Sequence, residues 1–549
     1  MDSKPATPPA AQPTTKSDDQ VTVVGQSNPT SEPQKKKDVR FWLIFLALCV
    51  STFLSALEVT SVSTALPTIV ESLQGHDFAW VGSAFTLGST AFMPMSGGLA
   101  EIFGRRPIML ASLLLFAIGS AVCGAAQSMD MLIAGRTIQG IGGGGILTLT
   151  DIIVADLVPL AERGPFLGIV GAVWAIASAI GPPIGGAFAE SSWRWLFYIN
   201  LPLAGIAMAL VLAFLRLNTP KEPFRQKIAR IDWIGNFLVI GSTASAVIAL
   251  TWAGARYSWS SVQVLAPLII GLVGLIVALG YEFTFAVEPI IPRELVSNMT
   301  SLSGYLATFF HGIVVTAILY FLPVYFQASR GDSPIKSGID LFGVAFTIAP
   351  AAIVTGISTA IFKKYRPQNY LAWVFLLIGT GVLSTLKYDS PKASSIGFQI
   401  LIGIGAGILY ASTTFPVLAP LPVSRNASAL ALFAFVRTFA GTYGVAIGSS
   451  VLQTELGRRL PVEFSTQFPG GSDIAFAAIP FIRGLNEPLR SQVRAAFADA
   501  LAVLWKVLIG ISGMGLLSVL LMKEIEMNTE TDDKWAMEQQ QKVDAHEKA

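Results

Sequence analysis

"GIVGAVWAIASAIGPPIGGAF" (Gly168–Phe188) is an apolar run that nevertheless carries five glycines and the adjacent pair Pro182 and Pro183. Inside a helix in water, glycine costs about 1 kcal/mol and proline about 3 kcal/mol relative to alanine. A water-soluble helix gains nothing from so many such residues. A membrane helix does gain. Small residues let backbones approach closely, and neighbouring helices or waters satisfy the carbonyl that a proline leaves open. The run therefore predicts a tightly packed helix inside a bilayer.

The rest of the chain reads the same way. Of 549 residues, 52% are hydrophobic and 13% charged, about half the 25% charge of a soluble protein. Lipid is the solvent for most of this sequence. Cys49 and Cys123 both sit in apolar runs, which argues against a disulfide framework. His76, His311 and His546 are scattered and suggest no metal site. The two ends differ in composition: residues 1–38 and the polar residues from 528 onward read as disordered tails.

A span of the hydrocarbon core needs about 20 apolar residues. Fourteen runs qualify, near 41–64, 79–100, 107–126, 131–154, 166–189, 194–215, 232–254, 263–285, 305–327, 338–361, 370–386, 394–416, 427–453 and 502–522. Lys and Arg concentrate in cytoplasmic loops. With the N-terminus inside, the inner segments hold Lys35, Lys36, Lys37, Arg40, Arg105, Arg106, Arg163, Arg225, Arg293, Lys363, Lys364 and Arg425. Both termini are then expected in the cytoplasm, with a long outer segment over 454–501.

An internal repeat accompanies this topology. "QGIGGGGI" (139–146) resembles "GIGAGI" (403–408), and "IFGRRP" (102–107) resembles "IFKKYRP" (361–367). Two parallel halves of six spans, with two extra spans between them, produce such offsets, and parallel repeats are one architecture of secondary transporters. "GIGGGG" (140–145) also satisfies the G-x-G-x-x-G pattern. That pattern binds a dinucleotide only within a βαβ unit, and here close helix packing is the better reading. No G-x-x-x-x-G-K-[ST] phosphate loop occurs and Gly-Lys is absent, so ATP-driven pumping by this chain is not expected.

Ionisable residues inside spans are costly and mark function. Glu58, about 17 residues into the first span, lies some 26 Å along it at about 1.5 Å per residue. Arg136 sits near the outer end of the fourth. These two are the leading functional candidates. Asp151, Asp156 and Glu282 near span ends read more readily as buried pairs, and His311 as a polar contact between helices.

The motifs together resemble the major facilitator superfamily, in particular the 14-span drug:proton antiporter branch that includes fungal toxin-efflux pumps. "GGLAEIFGRRP" (97–107) is similar to the loop signature G-x-x-x-D-x-x-G-R-R, through Gly97, Gly104, Arg105 and Arg106, with Glu101 where the family usually has Asp. "LIAGRTIQGIGGG" (132–144) resembles the fourth-span motif around Arg136 and Gly140. "ALEVTSVSTALP" (56–67) resembles a first-span motif, with Glu58 replacing the usual Asp. "WRWLFYINLP" (193–202) and "YFLPVYFQ" (320–327) look like further signatures. The opening run resembles the fifth-span antiporter motif, through Gly168, Gly181, Pro182, Gly185 and Gly186, with Ala177 in place of one glycine.

The resemblance implies an all-α membrane protein of the major facilitator fold, with two six-helix halves and two extra spans, 14 transmembrane helices in total. Residues 1–38 are a cytoplasmic tail, 39–217 the N-terminal half, 218–300 the extra spans with linkers, 301–525 the C-terminal half and 526–549 a second cytoplasmic tail. It implies no enzymatic activity and no cofactor beyond a proton gradient. The implied function is proton-coupled export of a small amphipathic organic compound (a drug, toxin or secondary metabolite) across the plasma membrane, the vacuolar membrane being the alternative. Glu58 would take the proton and Arg136 would couple charge to helix movement. Arg105 and Arg106 would pair with Glu101 and Asp156 when the inner face is closed. The partners are the substrate, protons and the lipid bilayer, with no nucleic acid. The rival readings are a proton-coupled uptake permease for a siderophore or nutrient, and a non-transporting membrane receptor.

Overall fold

The structure, a computed structural model, describes residues 37–73, 78–218, 222–253, 257–465 and 479–535. Most of both expected tails (1–36 and 536–549) and part of the expected outer segment (466–478) lie outside the described residues.

Fourteen long helices dominate the described residues. They are α1 (Val39–Leu73), α2 (Phe78–Phe103), α3 (Arg105–Gly124), α4 (Met129–Leu157), α5 (Gly164–Ser191), α6 (Asn200–Phe214), α7 (Trp233–Trp252), α8 (Val262–Thr284), α9 (Met299–Val324), α10 (Phe342–Phe362), α11 (Arg366–Leu383), α12 (Lys392–Ser412), α13 (Asn426–Arg459) and α14 (Leu489–Ser518). In lipid a helix satisfies its own backbone, which is why apolar runs of this length resolve into helices. The helix starts carry ordinary signals. Ser128 Oγ accepts from Met131 N at 3.3 Å, Asp232 Oδ1 from Gly235 N at 2.8 Å and Asn298 Oδ1 from Thr300 N at 2.8 Å, each side chain capping an open N-terminus. Helix α5 runs unbroken through Pro182 and Pro183.

Among the described residues, twelve helical stretches are long and apolar enough to cross a membrane. Helix α2, diluted by Gly, Ser and Thr, and α11, with its polar start Arg366-Pro-Gln-Asn369, are not among them.

Burial sorts the helices by position. The spans of α4 and α12 are each 78% buried, whereas that of α8 is 17% buried. So α4 and α12 are central and α8 is peripheral. The packing repeats along the chain. Helix α4 packs on α2 and α3, and α3 on α6; α12 packs on α10 and α11, and α11 on α14. Glycines set this contact in both places. A Cβ at Gly144 would fall 2.6 Å from Ser89 O of α2, and one at Gly142 would fall 2.5 Å from Ser112 O of α3. At Gly403 it would meet Thr347 Cβ of α10 at 2.7 Å, and at Gly405 Ala372 O of α11 at 2.7 Å. The run 140–145 is therefore a packing surface for two neighbours, and the repeat seen in the sequence is a repeat of that surface.

Helices from the two repeats meet along α5–α10 and α2–α13. Helices α7 and α8 pair with each other, and α7 rests on α2 and α13.

Two sequence expectations need correction. The single outer segment at 454–501 is too long, because α13 continues to Arg459 and α14 begins at Leu489. The early turns of α14 are amphipathic. Val493, Ala496 and Phe497 are buried while Gln492 and Asp499 are exposed, so an apolar window misses them. The expected disordered stretch from 528 onward begins too early. Through Trp535, which is 3% exposed, the chain packs against the helix ends.

Candidate functional site

Glu58 of α1 lies at the meeting point of α1, α4 and α6. Arg136 Nη1 of α4 donates to Glu58 Oε1, and Asn200 Nδ2 of α6 donates to Oε2. The network extends outward. Arg136 Nη1 also donates to Gln139 Oε1 at 2.7 Å, and Arg136 Nε to Val81 O of α2 at 2.9 Å. Gln139 Nε2 donates to Ser120 Oγ of α3 at 2.8 Å, and that hydroxyl donates to Phe116 O at 2.8 Å. The guanidinium carbon stands 4.8 Å from the Phe85 ring centroid. Glu58, Arg136, Gln139 and Asn200 are all at most 2% exposed.

Such a buried ion pair holds only when the remaining lone pairs and protons find partners, since removing charges from water is costly. Here Val81 O of α2, Gln139 of α4 and Asn200 of α6 supply those partners. Placing one proton on Glu58 cancels its charge and leaves Arg136 buried without a counter-ion.

Sequence reading found Glu58 and Arg136, as charges inside apolar runs. It missed Gln139 and Asn200. Each left a faint signal: Gln139 lies one helical turn after Arg136, and Asn200 is an amide within the apolar start of α6.

A second cluster sits where α2 turns into α3. Gly104 has φ 97°, a conformation L side chains rarely adopt, and so gives the sharp turn. Arg105, the first residue of α3, donates through Nε to Asp156 Oδ2 at 2.8 Å and through Nη1 to Ala100 O at 2.9 Å. Both partners of the ion pair are buried. Glu101 does not pair with either arginine. Its Oε1 accepts from Ser428 Oγ of α13 at 2.9 Å, and Arg106 donates to Leu212 O of α6. A side chain at Gly97 would run into Ala431 Cβ of α13. Nearby, Lys363 Nζ after α10 donates to Ala161 O at 3.2 Å. Arg163, in the turn before α5, donates through Nη2 to Ala155 O and Val158 O at 3.1 Å each. Burial pushes its guanidinium down to about 10, against the pull of Asp156 and Asp151.

The glycines of α5 serve two partners. A Cβ at Gly168 would lie 2.7 Å from Ile353 Cα of α10, and Gly164 and Gly356 press backbone to backbone across the same seam. Gly181 instead faces α1, where a Cβ would sit 2.9 Å from Thr60 Cβ. Pro182 Cβ is 3.6 Å from the position a Cβ would take at Gly338, a Cβ at Gly186 would lie 3.9 Å from Ile335 Cγ1, and Gly185 is buried.

The remaining charges fall elsewhere. Glu282 Oε2 accepts from Ile290 N at 2.7 Å and Ile291 N at 3.3 Å, closing the chain after α8. His311 Nε2 is 3.2 Å from Ala406 O of α12. Arg437 lies over the rings of Tyr410 at 4.6 Å and Phe433 at 4.4 Å.

Twelve apolar spans, a repeated helix arrangement and buried charges between helices are the parts of a membrane carrier. The chain belongs to the major facilitator superfamily, whose family model matches residues 48–445. It is a transporter and not an enzyme. Over 524 residues it is 39% identical to a protein of Gibberella fujikuroi named efflux pump FUS6, covering 94% of each chain. It is 38% identical over 522 residues to a Fusarium protein named MFS-type efflux pump LUC4, covering 93% of each. Among solved structures, the human organic anion transporter MFSD10 superposes with a TM-score of 0.57 at 15% identity, covering 89% of this chain and 100% of that one; at that identity the likeness concerns the fold.

Proposed function

We propose that this transporter exports a small amphipathic organic compound, a toxin or secondary metabolite, across the plasma membrane in exchange for protons. The observation that carries the reading is the buried Glu58–Arg136 pair, fixed by Asn200 and Gln139, in a chain whose relatives are named as efflux pumps. Glu58 takes up a proton on the acidic side and releases it on the other. Arg136 transmits the charge change to α4.

On this reading α2 and α11 also cross the bilayer, giving fourteen spans. Helix α2 packs along α4, as α11 does along α12, and neither has another place in a two-half carrier. The halves are 39–217 and 301–525, with 218–300 contributing α7 and α8. Residues 1–38 and 526–549 face the cytoplasm, and so does the Arg105–Asp156 cluster. The glycine seam of α5 is the surface on which the halves rock, and the Arg105–Asp156 pair latches the closed cytoplasmic side.

Expressed in a yeast lacking its own drug pumps, the chain raises tolerance to at least one member of a fungal-metabolite panel, and a protonophore abolishes the accompanying efflux. Enhanced uptake of that compound, or efflux indifferent to the protonophore, contradicts the proposal.

A further inference from the structure

After α14 the chain does not leave the molecule. Residues Lys523–Trp535 cross the end where the turns after α2, α4 and α10 lie, and they touch both repeats. The first half of this segment is tied to the α10–α11 turn. Tyr365 Oη donates to Lys523 O at 2.8 Å and accepts from Ile525 N at 3.0 Å. The Glu524 carboxylate accepts from Tyr365 N at 2.9 Å and Arg366 N at 3.3 Å, capping the start of α11, where a negative charge is favoured. Lys523 N also donates to Thr300 Oγ1 of α9 at 3.2 Å. The second half reaches the other repeat. Asn528 O accepts from Ala161 N at 3.2 Å, and the Trp535 ring lies against the Arg105 guanidinium, with the carbon 3.5 Å from the ring centroid.

That last contact completes the burial of Arg105. Asp156 and Ala100 occupy the edges of its guanidinium plane, and Trp535 covers a face, leaving Arg105 2% exposed. A guanidinium held at its edges and roofed by an indole is desolvated, the condition in which a cation–π contact is strongest. The segment bridges helices that must separate if this end opens. Its hold on the α10–α11 turn consists of several hydrogen bonds and a carboxylate cap. Its hold on the other repeat includes the Asn528 O bond and the Trp535 ring.

We propose that residues 523–535 form a strap anchored at Tyr365 and Arg366, and that Trp535, closing over Arg105, holds this end of the transporter shut and must lift off for it to open. Trp535 is thus a positioning residue for the Arg105–Asp156 pair, acting on the conformational equilibrium and not on the substrate. The inference rests on the proposed rocking of the two halves and the Arg105–Asp156 latch, though its test needs neither substrate nor gradient.

The test measures maleimide labelling in lipid nanodiscs, in a Cys49→Ala, Cys123→Ala background. Two reporters are placed separately. Ala161→Cys lies beneath the strap. Ala427→Cys, at a site 3% exposed, lies at the start of α13, where the helix faces Gly97 of α2 and where, among the described residues, no hydrogen bond or ring contact from the strap reaches it. Trp535→Ala is expected to raise labelling of both by about thirtyfold, the equilibrium change for losing one desolvated cation–π contact. Trp535→Phe, which keeps a ring face, restores slow labelling. Should the alanine variant fail to fold, Trp535→Leu keeps the apolar bulk without the ring face and carries the same expectation. An unchanged rate at Ala427→Cys overturns the proposal, whether or not Ala161→Cys becomes accessible. Loss of proton coupling in a transport assay with these labelling results intact would count against the proposed function and leave the strap standing.

Discussion

At the residue scale, the Glu58 carboxylate and the Arg136 guanidinium shield each other within the helix bundle. Removing one partner of a buried pair strands the other and costs about 3–5 kcal/mol. Arg136→Gln should therefore lower the thermal stability of the purified protein markedly. Adding Glu58→Gln to it should restore most of that loss, since no buried charge then remains, while gradient-driven transport stays absent. Thermal unfolding in detergent measures the first effect and vesicle flux the second. A double variant as unstable as the single one would mean that packing, not charge pairing, dominates the site. Glu58 and Arg136 were legible in the sequence because a charge in an apolar run is conspicuous. Asn200 and Gln139 were not. A neutral amide carries no charge to stand out in a search for ionisable residues within apolar runs, and nothing in the one-dimensional order shows that α6 returns to α1.

At the scale of elements, the glycine-rich run of α5 makes a specific demand. Gly168 leaves no room for a side chain against Ile353 of α10, and overpacking a well-filled site costs about 1–3 kcal/mol. Gly168→Val should reach the membrane yet transport at a small fraction of the parental rate. Gly241→Val in α7, where a Cβ would meet nothing within 4 Å, should transport normally. Equal rates in the two, normalised to surface expression, would remove the case for a mechanical seam. Periodicity and small residues foretold this helix and its neighbours well. They failed at α14, because the buried residues of its first turns alternate with charges. They failed again at the strap, whose Met527 and Trp535 are too widely spaced to signal burial.

At the scale of the whole molecule, topology follows from where the loops fall. Asn298 and Asn426 both head glycosylation sequons, Asn298-Met299-Thr300 and Asn426-Ala427-Ser428. Asn298 caps α9 and Asn426 is 8% exposed at the start of α13, both at the end assigned to the cytoplasm. Neither should carry glycan. A glycosidase-sensitive mobility shift lost in Asn298→Gln or Asn426→Gln would invert the orientation or change the span count by one. The repeated α4 and α12 surfaces explain why the two-fold plan was readable from short glycine motifs. The number of spans is less legible because Gly, Ser and Thr dilute α2 along its packed faces, and because α11 spends its first turn on Arg366-Pro-Gln-Asn369, which leaves a short apolar stretch.

The claim on which all three scales converge is that Glu58 carries the coupling proton. The direct measurement is substrate accumulation in reconstituted vesicles under an imposed pH gradient, comparing the parental protein with Glu58→Gln and Glu58→Asp. Glu58→Gln imitates the permanently protonated state. It should abolish gradient-driven accumulation and its pH dependence while leaving expression and passive exchange of neutral substrate. Glu58→Asp, which keeps a titratable carboxyl, should retain partial activity. If Glu58→Gln still accumulates substrate against its gradient with the parental pH dependence, Glu58 does not couple proton movement to transport.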